Sequence, residues 1–153
     1  MRTIAVRRVL PGARVADAEA LWSDLDRWPA FVDGFASVGR IEGRWPRPQA
    51  RLVWDSRPGG RGRVVERVEV YEPGARQRVR VEDAQLRGTQ SVAFEALDGG
   101  CEMTLELTYE LKRPGFGGVL TDLFFVRHAL RESLRRTLDR FAIELASDRE
   151  LAS

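Results

Sequence analysis

Four polar side chains stand on faces that otherwise carry apolar residues: Glu66, Gln90, Tyr109 and Arg127. The first three occupy positions that alternating strand patterns turn inward, and Arg127 falls near the middle of a helical leucine stripe. An unpaired buried charge is very costly, so Glu66 and Arg127 need partners or water.

Two interpretations of these four residues stay open. In the first, they form a structural ion pair, or the arginine reaches out of a cavity mouth. In the second, Arg127 orients a carboxylate, phosphate or enolate oxygen of a ligand through its planar fork. In an enzyme, Arg127 or Tyr109 would polarise a carbonyl group while Glu66 moved a proton.

Metal and nucleophilic chemistry have little support, because the chain has one histidine, His128, and one cysteine, Cys101. A tetrahedral zinc site or a Ser-His-Asp triad needs partners that this composition does not offer. Cys101 begins a strand on its inward side, which predicts a buried, inert thiol. The glycine groups at 59–62 and 115–118 lack dinucleotide-binding spacing and predict turns. We therefore expect no metal and no cofactor.

The elements that position these residues follow from periodicity and turn signals. Seven strands are predicted near 3–10, 35–42, 49–56, 62–71, 76–82, 86–96 and 101–111. Helices are predicted at 15–25, from about 28 to 34, and from about 118 to 147. Short connections, including a hairpin signal at 98–100, imply antiparallel neighbours.

Strand 101–111 has a clean apolar face, and the last helix carries a stripe of leucines, so each can bury the other. The sheet face is broader than the stripe, and the uncovered part becomes either a filled core or a ligand cavity. The predicted cavity lining is Trp54, Glu66, Gln90, Phe94, Met103, Leu105, Tyr109, Leu123, Arg127 and Leu130.

Bulk properties fit one globular domain covering residues 1–153, with 43% hydrophobic and 31% charged residues. No apolar run is long enough to span a membrane, and we read no signal peptide at the N-terminus. We therefore expect a cytoplasmic protein with no integral membrane association. The chain has 25 basic and 23 acidic residues, and this near balance of charge does not favour nucleic-acid binding.

Four segments carry a resemblance to a known family. They are 20–31 (ALWSDLDRWPAF), 61–70 (RGRVVERVEV), 98–109 (DGGCEMTLELTY) and 115–120 (GFGGVL). Together they resemble the START-like, or SRPBCC, helix-grip superfamily and its polyketide cyclase/dehydrase and lipid-transport group. The resemblance implies an α+β fold with a seven-stranded antiparallel curved sheet. Two short helices would follow strand 1, and a long C-terminal helix would cross the concave face.

The resemblance also implies binding or transport of a hydrophobic small molecule of lipid, polyketide or isoprenoid type. An aromatase/cyclase-type enzyme and a cochaperone-like interaction module remain alternatives. The resemblance implies no catalytic residue at any position of this chain. Aromatic residues near the short helices either seal one end of the sheet or gate the cavity, and the predicted entrance is Trp28, Phe31, Phe35 and Phe116. We expect a monomer or a homodimer.

Overall fold

The structure, a computed structural model, describes residues 1–112 and 119–153, with the side chains of 1–112 and 124–153. The strands are β1 (Arg2–Pro11), β2 (Phe35–Glu42), β3 (Arg51–Ser56), β4 (Arg63–Glu72), β5 (Arg76–Glu82), β6 (Leu86–Leu97) and β7 (Gly100–Leu111). The helices are α1 (Val15–Ser23), α2 (Trp28–Phe31) and α3 (Val119–Ala152), with a 3₁₀ turn at Leu25–Arg27.

All seven strands form one antiparallel sheet in the order β1-β7-β6-β5-β4-β3-β2. Each strand from β2 to β6 pairs with the next strand along the chain, and β1 lies at one edge of the sheet, paired with β7. Register shifts interrupt the β2–β3 and β4–β5 ladders, and such irregularities bend a sheet. The predicted fold is confirmed: a curved sheet, short helices after the first strand, and a long terminal helix.

The core lies between the concave face of the sheet and α3. The inward residues of β7 from Cys101 to Tyr109 are all buried, as their alternation predicts. Of the α3 side chains that the structure describes, four residues of the stripe are buried: Leu134, Leu138, Phe141 and Leu145. Side chains of this size contribute about 1.5–3 kcal/mol each when buried, so the helix stripe is a main source of stability.

The first helical segment is shorter than its predicted range of 15–25. Helix α1 ends at Ser23 because Asp24 has an extended backbone, and its side chain accepts a hydrogen bond from the backbone N–H of Asp26. This contact caps the 3₁₀ turn that leads into α2. Within the described part of the chain, no helix is both long and apolar enough to cross a membrane.

Candidate functional site

The centre of the candidate site is a pair of buried side chains on β3 and β4. In the ladder between these strands, Leu52 lies opposite Glu66 and Trp54 lies opposite Val64, so Trp54 and Glu66 are diagonal neighbours on the inner face. The indole Nε1 of Trp54 donates a hydrogen bond of 2.6 Å to Oε2 of Glu66. Both residues are buried, so this bond forms away from solvent.

Arg61, in the connection between β3 and β4, brings a positive charge to this pair. Its Nε donates to Oδ2 of Asp83 at 2.7 Å, and its Cζ lies 5.8 Å from the centroid of the Trp54 ring. The Asp83 side chain is 1% exposed and also accepts the backbone N–H groups of Gln85 and Leu86. Within the described residues, Nη2 of Arg61 is buried and makes no hydrogen bond.

We call Trp54, Arg61, Glu66 and Asp83 the buried polar cluster; Trp54, Glu66 and Asp83 are buried, and the side chain of Arg61 is 27% exposed. Burial raises the pKa of Glu66, and it outweighs the opposing effects of the Trp54 hydrogen bond and the Arg61 charge. The carboxyl group therefore keeps its proton to a higher pH than an exposed glutamate would. A protonated carboxyl group can donate a hydrogen bond as well as accept one.

Three members of the buried polar cluster, Trp54, Arg61 and Glu66, border a cavity of about 40 Å³ between the sheet and α3. Its lining residues are Trp22, Trp28, Val32, Asp33, Trp54, Arg61, Glu66, Gln90, Leu105, Ser133, Leu134 and Thr137. This volume, which refers to the described residues, admits a few non-hydrogen atoms. The cavity is thus lined by polar groups on both the sheet side and the α3 side, and by aromatic rings where α1 and α2 cover it.

Asp33, in the turn after α2, lines the cavity and connects that turn to α3 through hydrogen bonds. Its carboxylate accepts hydrogen bonds from Ser133 at 2.7 Å, Arg136 at 3.0 Å and Arg140 at 3.2 Å. Its backbone N–H donates to Oγ1 of Thr137 at 3.0 Å. Burial alone would raise the pKa of Asp33, but the hydrogen bonds from Arg136 and Ser133 outweigh it, and the net shift is downward.

Replacing Asp33 by Asn is expected to lower the free energy of unfolding by about 2 kcal/mol at neutral pH, because charge-assisted hydrogen bonds are lost. The folded pKa of Asp33 lies below its unfolded value, so the carboxylate stabilises the fold above the reference value of 3.8. That contribution disappears as the pH falls through the folded pKa. Urea unfolding of both proteins from about pH 7 to about pH 3 measures the difference.

Asp17→Asn is the matched control, because Asp17 pairs with Arg14, whose side chain is 81% exposed. An exposed pair of this kind contributes about 0–1 kcal/mol. Equal costs for the two variants at neutral pH, or a cost for Asp33→Asn that does not shrink in acid, would contradict the proposed role of Asp33.

The structure brings four of the predicted cavity residues together around one cavity: Trp54, Glu66, Gln90 and Leu105. Phe94, Met103 and Tyr109 are buried in the sheet but do not line this cavity. The hydroxyl group of Tyr109 is buried and has no hydrogen-bond partner among the described residues. Leu123 lies outside the described side chains.

Arg127 is only partly buried, and the described contacts include no ion pair between it and Glu66. The hydrogen-bond partner of Glu66 is Trp54, and the charge near it is that of Arg61. Leu130 is partly buried against the core. Among the described side chains of α3, the buried stripe residues run from Leu134 onward, and Arg127 precedes them.

The predicted entrance residues Trp28, Phe31 and Phe35 are buried in an aromatic cluster at one end of the sheet. Trp28 packs edge-to-face against Phe35 at 5.9 Å, and its Nε1 donates to the backbone carbonyl of Trp22 at 2.8 Å. Phe31 packs edge-to-face against Phe141 of α3 at 5.1 Å. Trp28 also lines the cavity. The fourth predicted residue, Phe116, lies outside the described residues.

Arg61 and Asp83 are the members of the cluster that the sequence analysis missed. Strand alternation assigns faces only within a strand, and both residues stand in connections between strands. The one available signal was Asp83 itself, because an aspartate just before a strand often accepts backbone N–H groups in a turn. Nothing local indicated that Arg61 would reach it.

Cys101 is buried, and burial raises the pKa of its thiol, so the thiolate that would act as a nucleophile is disfavoured. In residues 1–112 and the described part of α3, no group of three or more His, Cys, Asp or Glu side chains could hold a metal ion.

A curved antiparallel sheet closed by a long terminal helix, with a cavity between them, defines a helix-grip protein. The chain belongs to the family described as polyketide cyclase / dehydrase and lipid transport, whose model matches residues 1–146. No curated protein matches the chain.

Several solved structures share the fold. The protein TTHA0849 from Thermus thermophilus is 23% identical with a TM-score of 0.77, over 96% of this chain and 99% of that chain. The di-domain ARO/CYC StfQ from the steffimycin biosynthetic pathway is 21% identical with a TM-score of 0.72, over 97% of this chain and 52% of that one. Ara h 8.0201 is 14% identical with a TM-score of 0.73, over 95% of this chain and 98% of that chain. At these identities the likeness shows the fold alone.

Proposed function

We propose that this domain binds a hydrophobic small molecule of lipid, polyketide or isoprenoid type between the concave face of the sheet and α3. The observation that carries the proposal is the cavity lined by Trp28, Trp54 and Leu105 together with Glu66 and Gln90. Ligand sites typically combine apolar walls with a few polar groups that fix orientation. Membership of a family described by lipid transport and polyketide chemistry supports the same function.

The size of the cavity limits what it can receive. Sites for drug-sized ligands measure about 300–1,000 Å³, whereas this cavity has about 40 Å³. The proposal therefore places one end of the ligand in the cavity, beside the buried polar cluster. The rest of the molecule would extend along the interior between the sheet and α3.

The test is native mass spectrometry of the purified protein, followed by solvent extraction of any bound compound and rebinding to the emptied protein. Gln90→Trp is expected to reduce the affinity for that compound at least tenfold, because the larger side chain fills the cavity. Glu95→Trp, on an exposed position of the same strand, is the matched control and should bind like the unchanged protein. Unaltered binding by Gln90→Trp would place the compound elsewhere and contradict the proposal.

A polyketide cyclase-type reaction is the second candidate, and the buried polar cluster favours it. A carboxyl group with a raised pKa beside a guanidinium group could move a proton while a substrate carbonyl is polarised. The fold is shared with StfQ, an ARO/CYC protein. Turnover of a poly-β-ketone substrate that Glu66→Gln abolishes, with ligand binding retained, would favour an enzyme over a carrier.

A further inference from the structure

We infer that the ligand presents an uncharged oxygen, a carbonyl or a hydroxyl group, to Nη2 of Arg61, and that the cavity disfavours an anionic head group. This inference rests on the proposed function and specifies which hydrophobic molecules the site accepts. Arg61 contributes to the lining of the cavity, and Nη2 is its buried atom without a described partner.

The first argument is the missing acceptor. A buried N–H group that makes no hydrogen bond costs about 1–3 kcal/mol, so an oxygen atom of a ligand placed beside Nη2 would recover that energy. The guanidinium group is already oriented, because Nε is bound to Asp83 and Cζ lies over the Trp54 ring. An arginine held in this way loses little conformational freedom when it binds a further oxygen.

The second argument is charge. Asp83 already provides a carboxylate for Arg61, at 2.7 Å. Two acidic groups line the cavity, Glu66 and Asp33, although Asp33 is neutralised by Arg136 and Arg140 from outside. A carboxylate or phosphate on the ligand would add negative charge where the one described cavity-lining cation is already paired. A neutral oxygen gains the Nη2 hydrogen bond without that repulsion.

The test uses four probes that share a naphthalene body and differ in one group: 2-acetylnaphthalene, 2-naphthol, 2-naphthoate and 2-methylnaphthalene. Dissociation constants are measured by calorimetry at neutral pH. The ketone and the phenol are expected to bind about tenfold more tightly than the methyl compound, which corresponds to one hydrogen bond to a charged donor. The naphthoate should bind more weakly than the ketone.

Arg61→Met is expected to remove the tenfold advantage of the ketone and leave the affinity for 2-methylnaphthalene unchanged. Arg63→Met is the matched control, because Arg63 is exposed and pairs with Asp55 on the surface. Arg61→Met leaves the buried Asp83 without its cation, so Arg61→Met/Asp83→Asn provides a second variant that tests the same donor without an uncompensated charge.

The possible outcomes separate the inference from the proposed function. Tightest binding of the naphthoate would overturn the inference in favour of an anion site. Equal binding of all four probes, unchanged by Arg61→Met, would also overturn it while the proposed function stood. Failure of every probe to bind, together with no compound extracted from the purified protein, would reject the proposed function and the inference with it.

Discussion

Replacing Gly88 by Ala is expected to lower the free energy of unfolding by about 3 kcal/mol or more, because the added methyl group has no room. Gly88 is on β6, where it lies opposite Val81 of β5 and Tyr109 of β7. A Cβ atom there would overlap the backbone carbonyl oxygen of Thr108 and lie 2.8 Å from the Cα atom of Tyr109. The β6 and β7 backbones cannot move apart without breaking the hydrogen bonds between them. The steric strain of the added methyl group therefore cannot be relieved by a small shift.

Gly39→Ala is the control for this prediction. Gly39 is also in a strand, but a Cβ atom there would approach its nearest neighbour, the carbonyl oxygen of Val53, at an ordinary 3.4 Å. Its effect is expected to stay within about 0.5 kcal/mol. Urea unfolding of the two variants followed by circular dichroism makes the comparison. Similar midpoints for both would show that β6 and β7 approach each other less closely than described.

Trp54→Phe is the second substitution with a large expected cost, about 3 kcal/mol at about pH 8. The change removes the indole N–H that donates to Glu66 and leaves that carboxyl group buried without its described partner. It also removes part of the ring beneath Arg61. Because an unsatisfied buried group bears its full desolvation penalty, the loss exceeds that of the hydrogen bond itself.

The cost of Trp54→Phe should depend on pH in a defined direction. The folded pKa of Glu66 is raised above the reference value of 4.5, so the folded state holds this proton more tightly than the unfolded chain. Stability therefore falls as the pH rises from 4.5 through the folded pKa. The Trp54 hydrogen bond favours the carboxylate and limits that fall. Its removal must cost more at about pH 8 than at about pH 5.

Glu66→Gln separates the charge from the hydrogen bond, because the amide oxygen can still accept from Trp54. We expect this variant to be more stable than the unchanged protein at about pH 8, by about 1 kcal/mol or more, and to lose the pH dependence assigned to Glu66. In the double variant Trp54→Phe/Glu66→Gln, the free energy lost relative to Glu66→Gln alone should be the same at about pH 8 and at about pH 5. A pH-dependent cost that persists without Glu66 would assign the titration to another group.

Much of the fold could be predicted from local pattern. The alternation of residues 101–111 identified the inner face of β7, and every inward residue from Cys101 to Tyr109 is buried. The leucine stripe identified the buried side of α3. These predictions hold because side-chain direction repeats every two residues in a strand and every 3.6 in a helix, whatever the partner.

The candidate site could be predicted only in part. Glu66, Gln90 and Trp54 were placed inward by strand alternation, and they do line one cavity. The partner expected for Glu66 was Arg127 or a ligand, whereas the described partner is Trp54. A helical wheel gives the side of a helix on which Arg127 stands, but not how far along the axis the packing against the sheet extends.

Residue order alone was enough to establish which side chains face the interior of each strand and of the long helix, because that choice depends on backbone geometry within each element. Which of these side chains meet became clear from the folded arrangement. The β3–β4 register makes Trp54 and Glu66 diagonal neighbours, and the approach of two connections brings Arg61 to Asp83. Such contacts join residues from separate elements, and their distances depend on strand pairing, sheet curvature and loop path together, none of which a local period encodes.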